Sequence, residues 1–139
     1  MKPTLPKAVI CDIDGTLAHM VNRSPYDPSK YMDDKKDDFI HWAFARLSEN
    51  ATRIIVSGRM EEYRADTEKW LSNHGITYDH LYMRPTGDKR QDAVIKQEIY
   101  DTHIKDNYDV RCVLDDRNRV VKMWRDNGLK VLQVAEGDF

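Results

Sequence analysis

Two aspartates one residue apart, Asp12 and Asp14, follow a short apolar run and precede Gly15-Thr16-Leu17. A carboxylate can attack phosphorus and carry it as an aspartyl-phosphate. A second carboxylate two residues on can protonate the leaving group and later take a proton from water. The run Ala8-Val9-Ile10-Cys11 reads as a buried strand of a parallel sheet. Gly15 suits a sharp backbone turn behind it. Open parallel sheets bind ligands beyond the carboxyl ends of their strands, so both carboxylates stand where a ligand would sit. Asp-Gly is also a common surface turn, so the pair needs support from elsewhere in the chain.

That support comes from two more strand ends. The run Ile54-Ile55-Val56 closes in Ser57-Gly58-Arg59, a hydroxyl and a guanidinium. Arginine suits phosphate because its planar fork donates two parallel hydrogen bonds. The run Val113-Leu114 closes in Asp115-Asp116-Arg117. Adjacent aspartates behind an apolar strand are costly unless they hold a cation.

Strand-like runs alternate with helix-like patterns along the chain. Strands are expected over 7–12, 53–56, 78–83, 110–114 and 129–134, and helices over 33–50, 61–74, 88–104 and 118–127. Residues 21–30 carry Asn, Arg, Ser, Asp and two Pro and read as a loop. Phe39, Trp42, Ala43 and Leu47 mark the expected apolar face of the first helix, and Val94, Ile95 and Ile99 that of the third. The run from Asp33 to Asp38 reads as a solvated helix start, with negative charge suited to that end. Gly75 and Gly128 are suitable helix stops. Trp42, Trp70 and Trp124 fall in helical apolar patterns and are expected in the core; exposed, they could stack on bases. The alternation argues for an α/β fold, a Rossmann-like doubly wound parallel sheet, as one domain over 1–139.

Bulk properties exclude several classes. No apolar stretch is long enough for a membrane span or a secretory signal, so a cytoplasmic protein is expected. Cys11 and Cys112 each fall in an apolar run and read as reduced core thiols. The net charge of −2 means that any grip on nucleic acid must come from a local Arg and Lys cluster.

Asp12-Ile13-Asp14-Gly15-Thr16-Leu17 resembles the first motif of the haloacid dehalogenase superfamily. The resemblance implies that Asp12 is the nucleophile and Asp14 the general acid/base. Ser57 then matches the second motif, whose hydroxyl binds a phosphoryl oxygen. Asp115-Asp116 matches the fourth, which supplies Mg²⁺ ligands. The implied ligands are Asp12, the backbone carbonyl of Asp14 and one of the pair; Asp116 is favoured as the direct one, with Asp115 able to take that role or to act through water. The third motif is a lysine that shields nucleophile and phosphate. Lys96 is the first choice and Lys89 the alternative. About forty residues separate Leu17 from Ser57, and most of them read as one loop and one helix. That leaves no room for a large cap domain. An open site suits a substrate too large to enclose, although the segment 21–32 could fold over a small one.

A closer resemblance, over about 7–139, is to the 3′-phosphatase domains of bacteriophage polynucleotide kinase–phosphatases. It is carried by Arg23-Ser24-Pro25-Tyr26-Asp27, Ser57-Gly58-Arg59, Gly87-Asp88-Lys89-Arg90-Gln91-Asp92, Asp115-Asp116-Arg117 and Gln133-Val134-Ala135-Glu136-Gly137-Asp138-Phe139. Ser24 stands where that family usually has Gly. The resemblance implies substrate-binding roles for Thr16, Arg23, Gly58, Arg59 and Asp92. It implies Mg²⁺-dependent removal of a 3′-phosphate from DNA or RNA ends in nucleic-acid repair, as a homo-oligomer or fused to a kinase domain outside this chain. No Gly-x-x-x-x-Gly-Lys-Ser/Thr occurs here, so these residues do not form the 5′-kinase. A phosphatase for small phosphoesters or a non-catalytic binder of phosphorylated ends are the rival readings.

Overall fold

A computed structural model describes residues 4–21, 24 and 27–139. Five parallel strands form the central sheet in the order β5-β4-β1-β6-β7. They are β1 (Lys7–Cys11), β4 (Thr52–Met60), β5 (His80–Arg84), β6 (Asp109–Asp115) and β7 (Val131–Gln133). Two short strands, β2 (Ala18–His19) and β3 (Lys35–Lys36), pair antiparallel beside it. The helices are α1 (Asp38–Leu47), α2 (Arg64–Asn73), α3 (Asp92–Ile99) and α4 (Asn118–Asp126).

β1 is buried on both faces, and its alternate side chains enter two separate cores. Val9 and Cys11 join Ile40, Phe44, Trp70 and Leu71 under α1 and α2. Ala8 and Ile10 join Ile95, Ile99, Val120 and Trp124 under α3 and α4. This three-layer α/β/α arrangement is the expected doubly wound parallel sheet. Between β1 and β4 the described residues hold only the β2–β3 hairpin, a 3₁₀ segment over Pro28–Asp33 and α1, so no large cap domain stands there. No helix among the described residues is long and apolar enough to cross a membrane. Cys11 and Cys112 are free thiols buried in strands, as expected.

Several local expectations need correction. The first helix begins at Asp38, capped by the Asp37 carboxylate on the Ile40 amide at 3.0 Å, not at Asp33. Its buried face is Ile40 and Phe44; Phe39, Trp42 and Leu47 point outward. Two apolar stripes compete on this helix, and the more aromatic one lost. Trp42 is 57% exposed, while Trp70 and Trp124 are fully buried. The aspartate run is not uniformly solvated, because Asp34 is buried. The segment 88–104 forms a helix only from Asp92, with Val94 exposed, and it ends in a π-helical turn over Tyr100–Ile104. The loop over 21–30 ends in the 3₁₀ segment, started by the Asp27 carboxylate accepting from the Ser29 amide. The β2–β3 hairpin has no signature in the sequence, since two-residue strands leave no alternation to read.

Candidate active site

The carboxyl ends of β1, β4 and β6 converge on one cluster. Asp12 follows β1, its amide bonded to the Leu114 carbonyl of β6 at 3.0 Å. Gly15 then turns the chain at φ +82°, a conformation natural to glycine. A Cβ there would also lie 2.1 Å from Asp116 Oδ2, so only glycine lets the two loops meet.

Lys96 comes from the last turn of α3 and is buried. Its Nζ donates to Asp12 Oδ1 at 2.9 Å and to Asp115 Oδ2 at 3.1 Å. Burial opposes its charge, but Asp115 and Asp12 outweigh burial and raise its pKa. Asp115 also accepts from Trp124 Nε1 at 3.2 Å and, through Oδ1, from the Asp116 amide at 2.8 Å. Thr16 Oγ1 reaches Asp12 Oδ2 at 3.4 Å and Asp116 Oδ1 at 3.3 Å. Lys89, the alternative lysine, is exposed and takes no part in this cluster.

Ligand oxygens of Asp12, Asp115 and Asp116 lie within 4.8 Å of one another. Three buried carboxylates stand against one lysine, which leaves a charge of −2 when all are ionised. Burial first, and then the Asp115 charge, raise the pKa of both Asp12 and Asp116. A hard divalent cation with oxygen ligands fits this donor set in charge and in chemistry.

Asp14 occupies a different environment. β4 runs beyond Ser57, and its register against β5 shifts between Ser57 and Met60. Such bulges re-aim side chains beside active sites. Here the bulge turns Arg59 inward, where its side chain is 1% exposed. Arg59 Nε and Nη2 grip the two oxygens of Asp14 at 2.9 and 2.7 Å. Nη2 also donates to Asp34 Oδ2 at 3.1 Å, Nη1 to Thr67 Oγ1 at 3.3 Å, and the Tyr31 ring lies 3.8 Å from Cζ. Ser57 Oγ accepts from the Arg59 amide at 3.1 Å. Burial works against the guanidinium charge, but the Asp14 hydrogen bonds raise its pKa further.

This geometry predicts a double loss for Arg59→Ala. Breaking a buried ion pair costs about 3–5 kcal/mol, so the melting temperature should fall by several degrees. Releasing Asp14 should lower kcat by about 100-fold, the usual cost of small misplacements. Arg59→Lys should recover stability better than rate, because an ammonium cannot grip both oxygens. Equal recovery of both would contradict the positioning role.

Gly58 and Asp92 form the neighbouring wall. A Cβ on Gly58 would lie 2.8 Å from Asp92 Oδ1. Arg84 donates through Nη2 to that oxygen and through Nε to the Gly58 carbonyl at 2.8 Å. Arg117 Nη1 donates to Asp92 Oδ2 at 2.8 Å. Arg23 lies outside the described residues.

The structure therefore brings Asp12, Asp14, Thr16, Ser57, Gly58, Arg59, Asp92, Lys96, Asp115 and Asp116 to one sheet edge. Sequence reasoning missed Tyr31, Asp34 and Arg84. The acidic run concealed Asp34, and Arg84 had only its place at the end of β5 to mark it.

Residues 6–139 match the family model of the polynucleotide kinase PNKP phosphatase domain. A relative from Autographa californica nuclear polyhedrosis virus, named "Putative bifunctional polynucleotide kinase/RNA ligase", is 34% identical over an alignment of 125 residues that covers 87% of this chain and 18% of that protein. Two solved structures are similar. A chain in the Pnkp1/Rnl/Hen1 RNA repair complex is 43% identical with a TM-score of 0.92, over 97% of this chain and 44% of that one. A chain in a second Pnkp1/Rnl/Hen1 complex is 41% identical with a TM-score of 0.94, over 99% and 49%. This chain thus spans less than half the length of each of these relatives. Sequence, fold and the clustered aspartates agree: the chain belongs to the polynucleotide kinase PNKP phosphatase domain family.

Proposed function

We propose that this chain is a Mg²⁺-dependent phosphomonoesterase that removes the 3′-phosphate from polynucleotide ends during RNA or DNA repair. The observation that carries the reading is the separation of two carboxylates two residues apart. Asp12 lies buried with Lys96 and the Asp115–Asp116 pair, whereas Asp14 is more exposed and gripped by Arg59. Different surroundings for two carboxylates support different tasks for them.

Asp12 attacks phosphorus in line, a bond forms from its carboxylate oxygen, and the ester bond to the 3′-oxygen breaks. Asp14 gives that oxygen its proton. Asp14 then takes a proton from water, whose oxygen attacks the aspartyl-phosphate and regenerates Asp12 with release of inorganic phosphate. Lys96 holds Asp12 in place and, with Ser57, supplies donors to the phosphoryl oxygens. Arg59 holds Asp14 with its fork; Arg23 is the further cation proposed for phosphate. Asp12 and Asp116 would hold Mg²⁺, with the Asp14 carbonyl; bound there, the ion neutralises charge on the phosphoryl group. Asp115 already accepts three hydrogen bonds, which suits it to a water-mediated role and to anchoring Lys96.

The relatives named for polynucleotide kinase, RNA ligase and RNA repair support a polynucleotide substrate. So does the lack of a large cap among the described residues. An oligonucleotide phosphorylated at both ends, incubated with Mg²⁺, should lose only its 3′-phosphate, and EDTA should stop the release. Turnover of small phosphoesters with neither oligonucleotide end released would replace this reading with a small-substrate phosphatase.

A further inference from the structure

The segment after β7 does more than end the fold. Val134 and Gly137 bring it back against the turn that carries the paired aspartates: the Val134 amide donates to the Asp115 carbonyl at 3.1 Å. Gln133 Nε2 donates to the Asp116 carbonyl at 3.0 Å. The Gly137 carbonyl accepts from the Asn118 amide at 2.8 Å. That bond satisfies one of the free amides at the start of α4, where Arg117 provides no side-chain cap. Gly137 is buried, and a Cβ on it would lie 1.8 Å from the Asp116 carbonyl oxygen and 2.6 Å from Arg117 Cα. Two backbones therefore meet with no room for a side chain. Two residues on, the ring of Phe139 lies 4.7 Å from the guanidinium carbon of Arg117. Arg117 reaches from there to Asp92, and Asp92 abuts Gly58 beside Ser57.

We infer that Gly137 and Phe139 are positioning residues that clasp the Asp116–Arg117 turn from two sides and so set the placement of the Asp116 carboxylate. The inference rests on the reading of Asp12, Asp115 and Asp116 as a cation site. Gly137 acts on the backbone and Phe139 on the side chain that follows it. Neither touches the reacting atoms. Phe139 is 59% exposed, so its removal opens no cavity in the core.

The test uses the 139-residue chain with Gly137→Ala, Phe139→Ala, Phe139→Leu and Phe139→Tyr. Three quantities are read: Mg²⁺ affinity by calorimetry with the metal alone, the melting temperature in EDTA, and kcat and KM on a 3′-phosphorylated oligonucleotide. Phe139→Ala and Phe139→Leu should weaken Mg²⁺ binding by about tenfold, the usual effect of disturbing groups that orient metal ligands. Phe139→Tyr keeps an aromatic face for Arg117 and should stay within about twofold of the parent. Gly137→Ala should weaken binding more; if it does not fold, the Phe139 series decides alone. Mg²⁺ affinity and kcat unchanged in a folded Phe139→Ala, with or without a lower melting temperature, overturns the inference. A parent chain that binds no Mg²⁺ and releases no 3′-phosphate overturns the phosphatase reading instead, and this inference with it.

Discussion

Asp12→Asn should abolish phosphate release while leaving the chain folded. In the proposed reaction the Asp12 carboxylate forms the covalent bond to phosphorus, and an amide at the same position is a far poorer nucleophile. Loss of a nucleophile in a constellation that acts as a unit lowers kcat by about four orders of magnitude or more. The fold should tolerate the change, since Asn has nearly the same shape and its carbonyl oxygen can still accept from Lys96 Nζ, now 2.9 Å from Asp12 Oδ1. Steady-state release of phosphate from a 3′-phosphorylated oligonucleotide measures the effect, and circular dichroism checks the fold. Activity within about tenfold of the parent would remove Asp12 from the reaction. Asp14→Asn should behave differently: attack on an activated aryl phosphate needs little help for its leaving group, so its first turnover should survive better than turnover of the oligonucleotide.

The strand ends were legible in the sequence because both halves of each signal are local. An apolar run such as Ile54-Ile55-Val56 states a buried strand, and the polar residues behind it state what reaches the sheet edge. Lys96 was reached only through the resemblance, which asks for a helical lysine between Ser57 and Asp115; the structure buries it on α3 beside Ile95 and Ile99, a placement that the expected apolar face of Val94, Ile95 and Ile99 did not include. What the sequence hid was long-range. Asp34 looked like one charge among several in a solvated run, yet it is buried against a guanidinium 25 positions on. Nothing local distinguishes it from Asp33. Arg59 reads as a phosphate clamp from its fork alone. Only the strand bulge, which periodicity cannot reveal, turns that fork onto Asp14. Phe39 and Trp42 form the stronger apolar stripe on α1 by composition, and packing chose Ile40 and Phe44 because they face β1.

Asp116→Asn should raise the stability of the metal-free chain while destroying the Mg²⁺-dependent activity proposed for it. The pKa values of Asp12 and Asp116 are raised above the ordinary carboxylate value of 3.8 by burial and by Asp115. Between the ordinary and the raised value, the folded chain therefore binds more protons than the unfolded chain. Stability then falls as pH rises through that window, and the loss is complete above the raised values. The amide in Asp116→Asn carries no charge, so this share of the loss disappears. The melting temperature in EDTA at neutral pH should rise by a few degrees, and its decline with pH should flatten. Mg²⁺ reverses the sign for the parent, because binding requires deprotonated carboxylates and strengthens as pH rises. Saturating Mg²⁺ should raise the parent's melting temperature by mass action and leave that of Asp116→Asn almost unmoved. Melting curves from about pH 4 to 8, with EDTA and with Mg²⁺, separate these terms. A metal-free Asp116→Asn less stable than the parent at neutral pH would mean that the carboxylate is held by favourable contacts rather than strained by its neighbours. It would also remove the charge argument for a cation at this site. Sites of this kind trade stability for function, and here the trade can be read at one residue.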